Sequence, residues 1–171
     1  MDGGFGMVYR VGIITASDKG YAGVREDLSG PAIANILAKS NVFRVDKSTI
    51  LPDDKEMLAA MMRKMADEDH LDLILTTGGT GFSRRDVTPE ATLEVIERRA
   101  PGIPEAMRSL SLQITPRAML SRAEAGIRGN TLIVNMPGSP KAIRETLEYI
   151  LPSVKHGLDI LQGNDAECAR P

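Results

Sequence analysis

The sequence predicts an α/β fold: a three-layer α/β/α arrangement around a mostly parallel sheet with one antiparallel strand. Three observations carry this. Short apolar runs with strand patterning alternate with amphipathic helical patterns along the chain. Glycine, proline and hydroxyl residues gather where the predicted strands end. A single two-residue hairpin signal, Gly129-Asn130, joins two strands late in the series and so reverses one of them.

The elements follow in order. Val8 to Ala16, with Val11, Ile13 and Ile14, reads as a first strand. Ser29-Gly30-Pro31 opens a helix whose Ile33, Ile36 and Leu37 share one face. Phe43 to Leu51 alternates apolar and polar residues, as a half-exposed strand does. Asp53, with Glu56 three residues later, resembles a capping box with Asp in place of Ser or Thr. Behind it, Leu58, Met61, Met62 and Met65 form a stripe at i, i+3, i+4 and i+7, which reads as core filler rather than a soft-metal site. Leu71 to Leu75 is a buried strand.

Thr88 as N-cap and Pro89 at the first helical position begin a helix running to about Arg99, with Arg98-Arg99 on its solvated face. Pro101, Gly102 and Pro104 break the chain before a helix from Glu105 to Ile114. Ala123 to Arg128 and Thr131 to Met136 are the two hairpin strands, joined by a type II′ turn. Pro140 starts a last helical region with Ile143, Leu147 and Ile150 on one face. Pro152 is expected to kink or restart it before Val154, Leu158 and Leu161. The economical organisation is one domain over residues 8–163, with 1–7 and 164–171 as flexible termini.

Composition narrows the chemistry. The chain has 171 residues, 42% hydrophobic and 26% charged, with a formal net charge of −2. No global positive field draws it to nucleic acid or anionic lipid. Cys168 is the only cysteine, so one chain can build neither a disulfide framework nor a thiolate zinc site. Two histidines, His70 and His156, supply a histidine-rich metal cluster or a serine–histidine triad poorly. No apolar run reaches membrane-spanning length, and the first residues lack a signal peptide's basic and apolar regions. A cytoplasmic protein is expected.

The most informative stretch is Thr76-Thr77-Gly78-Gly79-Thr80-Gly81, followed by Arg84-Arg85-Asp86-Val87-Thr88-Pro89. Three glycines at a strand's carboxyl end let backbone N–H groups approach a ligand closely. Hydroxyls, guanidiniums and a carboxylate converge where open α/β sheets place ligands, which points to phosphate chemistry. The loop is not a Walker A sequence, lacking its lysine and following hydroxyl residue, and it lacks GxGxxG spacing. Asp86 and Asp53 each follow a strand. Either can be a turn or capping residue, and together they are what a magnesium–phosphate site needs. Asn135-Met136-Pro137-Gly138-Ser139-Pro140-Lys141 is a further strand-end loop. Lys141 near a helix start is electrostatically misplaced unless an anion binds beside it. Ser17-Asp18-Lys19-Gly20 and Asp27-Leu28-Ser29-Gly30-Pro31 flank the first strand's exit and are weak signals alone.

Taken in order, Ser17-Asp18, Asp27-x-Ser29-Gly30-Pro31, Leu51-Pro52-Asp53, the glycine loop with Arg85-Asp86-Val87-Thr88-Pro89, and Asn135-x-Pro137-Gly138 resemble the molybdopterin-binding family. That family includes bacterial MogA and MoaB, the plant Cnx1 G domain and the gephyrin G domain. The resemblance spans about residues 8 to 162 and implies a three-layer α/β/α domain, usually a homotrimer, in molybdenum-cofactor biosynthesis. It implies an adenylyltransferase that joins AMP from ATP to the terminal phosphate of molybdopterin with Mg²⁺, releasing pyrophosphate. A non-catalytic molybdopterin carrier or assembly protein of the MoaB type is the alternative, and a molybdenum-insertion protein is a further partner. Carried over residue by residue, Asp53 and Asp86 are the catalytic and metal-binding pair. Ser17, Asp18, Ser29, Gly30, Thr77, Gly78, Gly79, Thr80, Gly81, Asn135, Pro137, Gly138 and Ser139 line the nucleotide and pterin pocket. Lys19 stands where many relatives have arginine, keeping charge but losing a bidentate fork.

Overall fold

In a computed structural model of the chain, residues 6–164 are described. Residues 1–5 and 165–171, which hold most of the expected flexible termini and Cys168, lie outside the described residues. Six strands form one sheet: β1 (Tyr9–Ala16), β2 (Phe43–Leu51), β3 (Leu73–Thr77), β4 (Arg98–Arg99), β5 (Ala125–Arg128) and β6 (Thr131–Met136). The spatial order is β2-β1-β3-β6-β5-β4. β1, β2, β3 and β6 are parallel, and β5 runs against both β6 and β4. One strand is thus reversed, as the hairpin signal predicts.

The central strands β1, β3 and β6 are buried on both faces, while β2 at one edge is half-exposed, as its alternation predicts, and β4 at the other is exposed. Val11 and Ile13 of β1, Leu73 and Leu75 of β3, and Leu132 and Val134 of β6 point to one face. There they meet α2 (Ser29–Ala38), α5 (Gly102–Leu112) and α6 (Pro140–Leu161). Ile14, Ile74 and Ile133 point the other way, onto α3 (Lys55–Arg63) and α4 (Thr88–Val95). The period-2 alternation of a strand explains the division. A four-residue helix, α1 (Asp18–Tyr21), follows β1. In the predicted methionine stripe, Leu58, Met62 and Met65 are fully buried and Met61 packs beside them, so it is core.

Several boundaries differ from the sequence reading, each for a local reason. The helix expected to reach Arg99 ends at Val95, because Ile96 turns extended (φ −73°, ψ 150°). Glu97 N and Ala100 N then donate to Ile127 O and Ala125 O, so Arg98-Arg99 is an edge strand rather than a helix face. α5 begins at Gly102, earlier than expected, and a 3₁₀ turn, Pro116–Leu120, follows it. α3 continues as a wide π turn, Lys64–Glu68, and closes with His70 at φ 52°. Leu71 N donates to Met65 O there, one residue wider than the closure of an ordinary α-helix, and His70 takes the left-handed place usually given to glycine. α6 runs unbroken through Pro152. The lost backbone bond is offset by burial of Ile143, Leu147, Ile150, Val154 and Leu158 along one face.

Candidate active site

The connections place the site. β1 leads by a crossover to β2 on one side and later has β3 as its neighbour on the other, so the chain changes direction between β1 and β3. Ligands of open α/β sheets bind in the crevice at the carboxyl ends of such strands. Here that crevice is a cavity of about 420 Å³, floored by Thr15, Ala16, Thr77, Gly78 and Gly79. Asp53 from the end of β2, Asp86 from the glycine loop and Gly138 from the end of β6 close its sides.

The loop after β3 is glycine because nothing else fits. Gly78 and Gly79 have φ of 87° and 71°. A β-carbon on Gly78 would lie 2.4 Å from Ala16 O, and one on Gly79 would lie 2.4 Å from Thr88 Oγ1 and 3.1 Å from Asp53 Oδ1. Thr88 does not cap α4: Val87 occupies the capping position. Thr88 pins the loop instead, with Oγ1 donating to Gly78 O at 2.9 Å and its N–H to Gly79 O at 3.1 Å. Thr77 Oγ1 donates to Pro137 O at 2.7 Å and Ser29 Oγ to Gly138 O at 2.6 Å, binding the β3, β6 and α2 loops together.

Asp53 is also released from the role the capping box gave it. Asp54 is the N-cap of α3, its Oδ1 accepting from Met57 N at 2.9 Å. Asp53 Oδ2 accepts from Asp18 N, while Asp53 N donates to Asp18 Oδ1, both at 3.0 Å. Arg85 completes the group, its Nε and Nη2 donating to the two oxygens of Asp18 at 2.9 Å. Burial raises the Asp53 carboxyl above the usual aspartate range, and the Asp18 and Asp86 charges push it the same way. The Arg85 guanidinium, with the Asp53 backbone N–H, holds Asp18 below that range. Asp86 Oδ2 accepts from Ser83 N at 3.0 Å. Asp53 and Asp86 therefore line one cavity, each with one oxygen bonded to backbone.

Of the other predicted site residues, Ser17, Ser29, Thr77, Gly78, Gly79 and Gly138 line this cavity. Thr80, Pro137 and Gly138 border a second, apolar cavity of about 250 Å³ between α5, the 3₁₀ turn and α6. Gly138 is common to both. Five predicted residues line neither. Asp18 orients Asp53 and Arg85 as above. Gly30 N donates to Asp27 Oδ1 at 3.1 Å. Gly81 O accepts from Arg122. Ser139 caps α6, accepting from Ala142 N at 3.1 Å. Asn135 is fully buried, its Nδ2 donating to Thr76 Oγ1 and Thr92 Oγ1 and its Oδ1 accepting from Glu124 N. Its place is structural.

Sequence reasoning named Asp27 only as part of a loop pattern and left out other lining residues. Arg25, Glu26 and Asp27 border the first cavity. Asp27 accepts from Ser29 N and Gly30 N through Oδ1 and from Thr15 Oγ1 through Oδ2. The Asp-x-Ser-Gly-Pro pattern is a readable sign of that cap. Arg108, Ser111, Arg117 and Ser121 border the second cavity, and no local pattern marks them.

Comparison with known proteins decides the family. A family model described as "Probable molybdopterin binding domain" matches residues 12–156. The chain belongs to this family. It is 44% identical over 155 residues to the molybdopterin adenylyltransferase of Helicobacter pylori, covering 90% of this chain and 88% of that protein. It is 45% identical over 162 residues to gephyrin of Dictyostelium discoideum, covering 88% of this chain and 22% of that longer protein. Among solved structures, the molybdopterin biosynthesis enzyme MoaB of Thermus thermophilus superposes with a TM-score of 0.87 at 48% identity. That match covers 94% of this chain and all of that one. The layered α/β/α domain expected for a molybdopterin-binding protein is therefore the fold found, and no helix of the described residues is long and apolar enough to cross a membrane.

Proposed function

We propose that this molybdopterin-binding protein is a molybdopterin adenylyltransferase of molybdenum-cofactor biosynthesis, joining AMP from ATP to the terminal phosphate of molybdopterin. The bond formed is between a molybdopterin phosphate oxygen and the α-phosphorus of ATP. The bond broken is between that phosphorus and the bridging oxygen, and pyrophosphate leaves with the electron pair. No covalent protein nucleophile is needed for this displacement.

The observation that carries this reading is the charge of the first cavity. Glu26, Asp27, Asp53 and Asp86 border it, against Arg25 as the one lining cation among the described residues. A polyphosphate enters such a cavity only with divalent cations, because bare like charges in a partly desolvated site repel strongly. The donor set fits Mg²⁺, which takes one or two carboxylates plus water and phosphate oxygens rather than a full protein cage. Among the described residues no group of three or more acidic, histidine or cysteine side chains forms such a cage. Asp53 and Asp86 would hold the ion; bound there, it supplies charge neutralisation at the transferring phosphate.

The remaining work belongs to the chain. The backbone of Gly78 and Gly79 offers a close surface for phosphate oxygens without intervening side chains. The apolar second cavity, which meets the first at Gly138, takes the pterin and presents its phosphate to the nucleotide. A homotrimer is the expected assembly. Leu112, Ile114, Met119 and Leu120, exposed around the end of α5 and the 3₁₀ turn, offer apolar surface for it. Sedimentation of the purified protein measures it. A molybdenum-insertion protein is the expected recipient of the product.

The deciding experiment incubates the protein with molybdopterin, ATP and Mg²⁺ and looks for adenylylated molybdopterin by mass. Product in the wild type, reduced about 100-fold or more in Asp86→Asn, supports the assignment. Tight molybdopterin binding without ATP consumption would identify a carrier instead.

A further inference from the structure

Arg122 lines neither cavity, yet its side chain reaches across to the glycine loop. It lies between the 3₁₀ turn and β5. Its Nε donates to Gly81 O and its Nη2 to Asp86 O, both at 2.7 Å, while Nη1 pairs with Glu90 of α4. Its own backbone N–H donates to Thr80 O at 2.9 Å. One residue thus grips the loop where it leaves the sheet and again at Asp86.

The segment between these points has little else to hold it in place. Residues 82–85 are exposed, Phe82 at 70%. Asp86 N to Ser83 O and Ser83 N to Asp86 Oδ2 close a local turn, bonds that shape the segment without fixing it to the rest of the fold. Arg85 forks onto both oxygens of Asp18, a second tether of this segment, but with side chains 63% and 42% exposed it is more open to solvent screening than the Arg122 contacts and does not touch Asp86. The Arg122 side chain is only one-third exposed, and two of its three partners are backbone carbonyls at fixed positions. Its chain neighbour Ser121 borders the second cavity together with Thr80.

We propose that Arg122 is the positioning residue for Asp86, and that it links the placement of this carboxylate to the wall of the second cavity. The inference rests on the role given to Asp86 above. It requires a guanidinium. A planar fork presents donors to acceptors on two of its edges at once, whereas an ammonium concentrates its donors at one point.

Arg122→Lys and Arg122→Ala test it beside the wild type, with three readouts: steady-state adenylylation, thermal midpoint, and amide exchange at residues 82–86. The expected result for Arg122→Lys is a kcat lowered roughly 10- to 100-fold, the loss that a displacement of about 1 Å brings, with the KM for ATP little changed. Its thermal midpoint stays near that of the wild type and exchange at 82–86 quickens. A purely structural role would lower the midpoint and leave kcat per folded molecule intact, which overturns the proposal, as does wild-type exchange in this loop. If Arg122→Ala does not fold, the lysine variant decides. If the wild type itself forms no adenylylated product, the functional reading fails and exchange alone judges the positioning role. Faster exchange at 82–86 then upholds it, and unchanged exchange removes it.

Discussion

Asp18 and Asp53 each donate a backbone N–H to the other's carboxylate, at 3.0 Å in both directions. The reciprocal pair fastens the loop after β1 to the loop after β2, across two parallel strands in register from Ala16 to Leu51. It brings two carboxylates close together and leaves Arg85 to neutralise Asp18 alone. Asp53 is the one that stays half-buried beside the cavity with its affinity for a proton raised.

That raised value has a definite sign in stability. A carboxyl whose folded pKa lies above its unfolded value holds its proton more tightly when folded, so its contribution is full below the unfolded pKa. The contribution is lost as pH rises through the folded pKa. Ionised Asp53 therefore costs stability at neutral pH. Asp53→Asn keeps an oxygen for Asp18 N and removes the charge. Its thermal midpoint in metal-free buffer should exceed the wild type's at pH 7, with the difference fading below about pH 4. Turnover should fall about 100-fold in the same variant. A variant that melts below the wild type at pH 7 would contradict the assignment of cost to this charge.

Gly79→Ala should damage both fold and site. The left-handed conformation alone costs about 1–2 kcal/mol for a residue with a β-carbon. That carbon would also collide with Thr88 Oγ1 and press on Asp53 Oδ1. Denaturant unfolding should show the loss, and turnover of the remaining folded protein should drop. An unfolding midpoint equal to the wild type's would show that the loop relaxes without cost.

Asn135→Ala separates a buried structural residue from a ligand contact. Removing its amide leaves Glu124 N without its acceptor and deprives Thr76 and Thr92 of a donor. Unpaired buried groups cost about 1–3 kcal/mol each, so a total loss of roughly 3 kcal/mol is expected. For a chain of this size that lowers the thermal midpoint by about 10 °C. The KM values for ATP and molybdopterin should stay put. A changed KM in a protein of unchanged stability would return Asn135 to the pocket.

Arg25→Gln tests the one cation among the described residues of the acidic cavity. Arg25 is exposed, with no hydrogen bond or ion pair to another described residue, so its removal leaves the fold alone. Loss of one charge-assisted contact to a phosphate should raise the KM for ATP roughly tenfold while kcat holds. Initial rates across an ATP series measure it. An unchanged KM would place the nucleotide's phosphates elsewhere in the crevice.

Much of this was legible locally. Leu73, Ile74 and Leu75 are apolar in succession, and a run buried on both faces is what a central parallel strand shows. The run of glycines after β3 marked a loop of unusual backbone freedom, and Gly78 and Gly79, though not Gly81, do adopt the left-handed conformation that glycine favours. Other features turned on a single competing bond. Asp53 and Asp54 are chemically equivalent as N-caps, and only the hydrogen bonds at the end of β2 show that Asp54 takes the cap. Ile96 ended α4 early because β5, distant in sequence, offered Arg98-Arg99 a ladder to join.

By itself the sequence determined the alternation of strand and helix, the one reversed strand and the glycine loop, because these depend on side-chain period and on backbone freedom within a few residues. Tertiary structure decided which carboxylates share a cavity, that Asn135 is buried beneath the site, and that Arg122 reaches the loop of Asp86. Those relations join residues 33 to 59 positions apart. Close approach at such separations is set by how the strands order in the sheet, and no local pattern encodes that order.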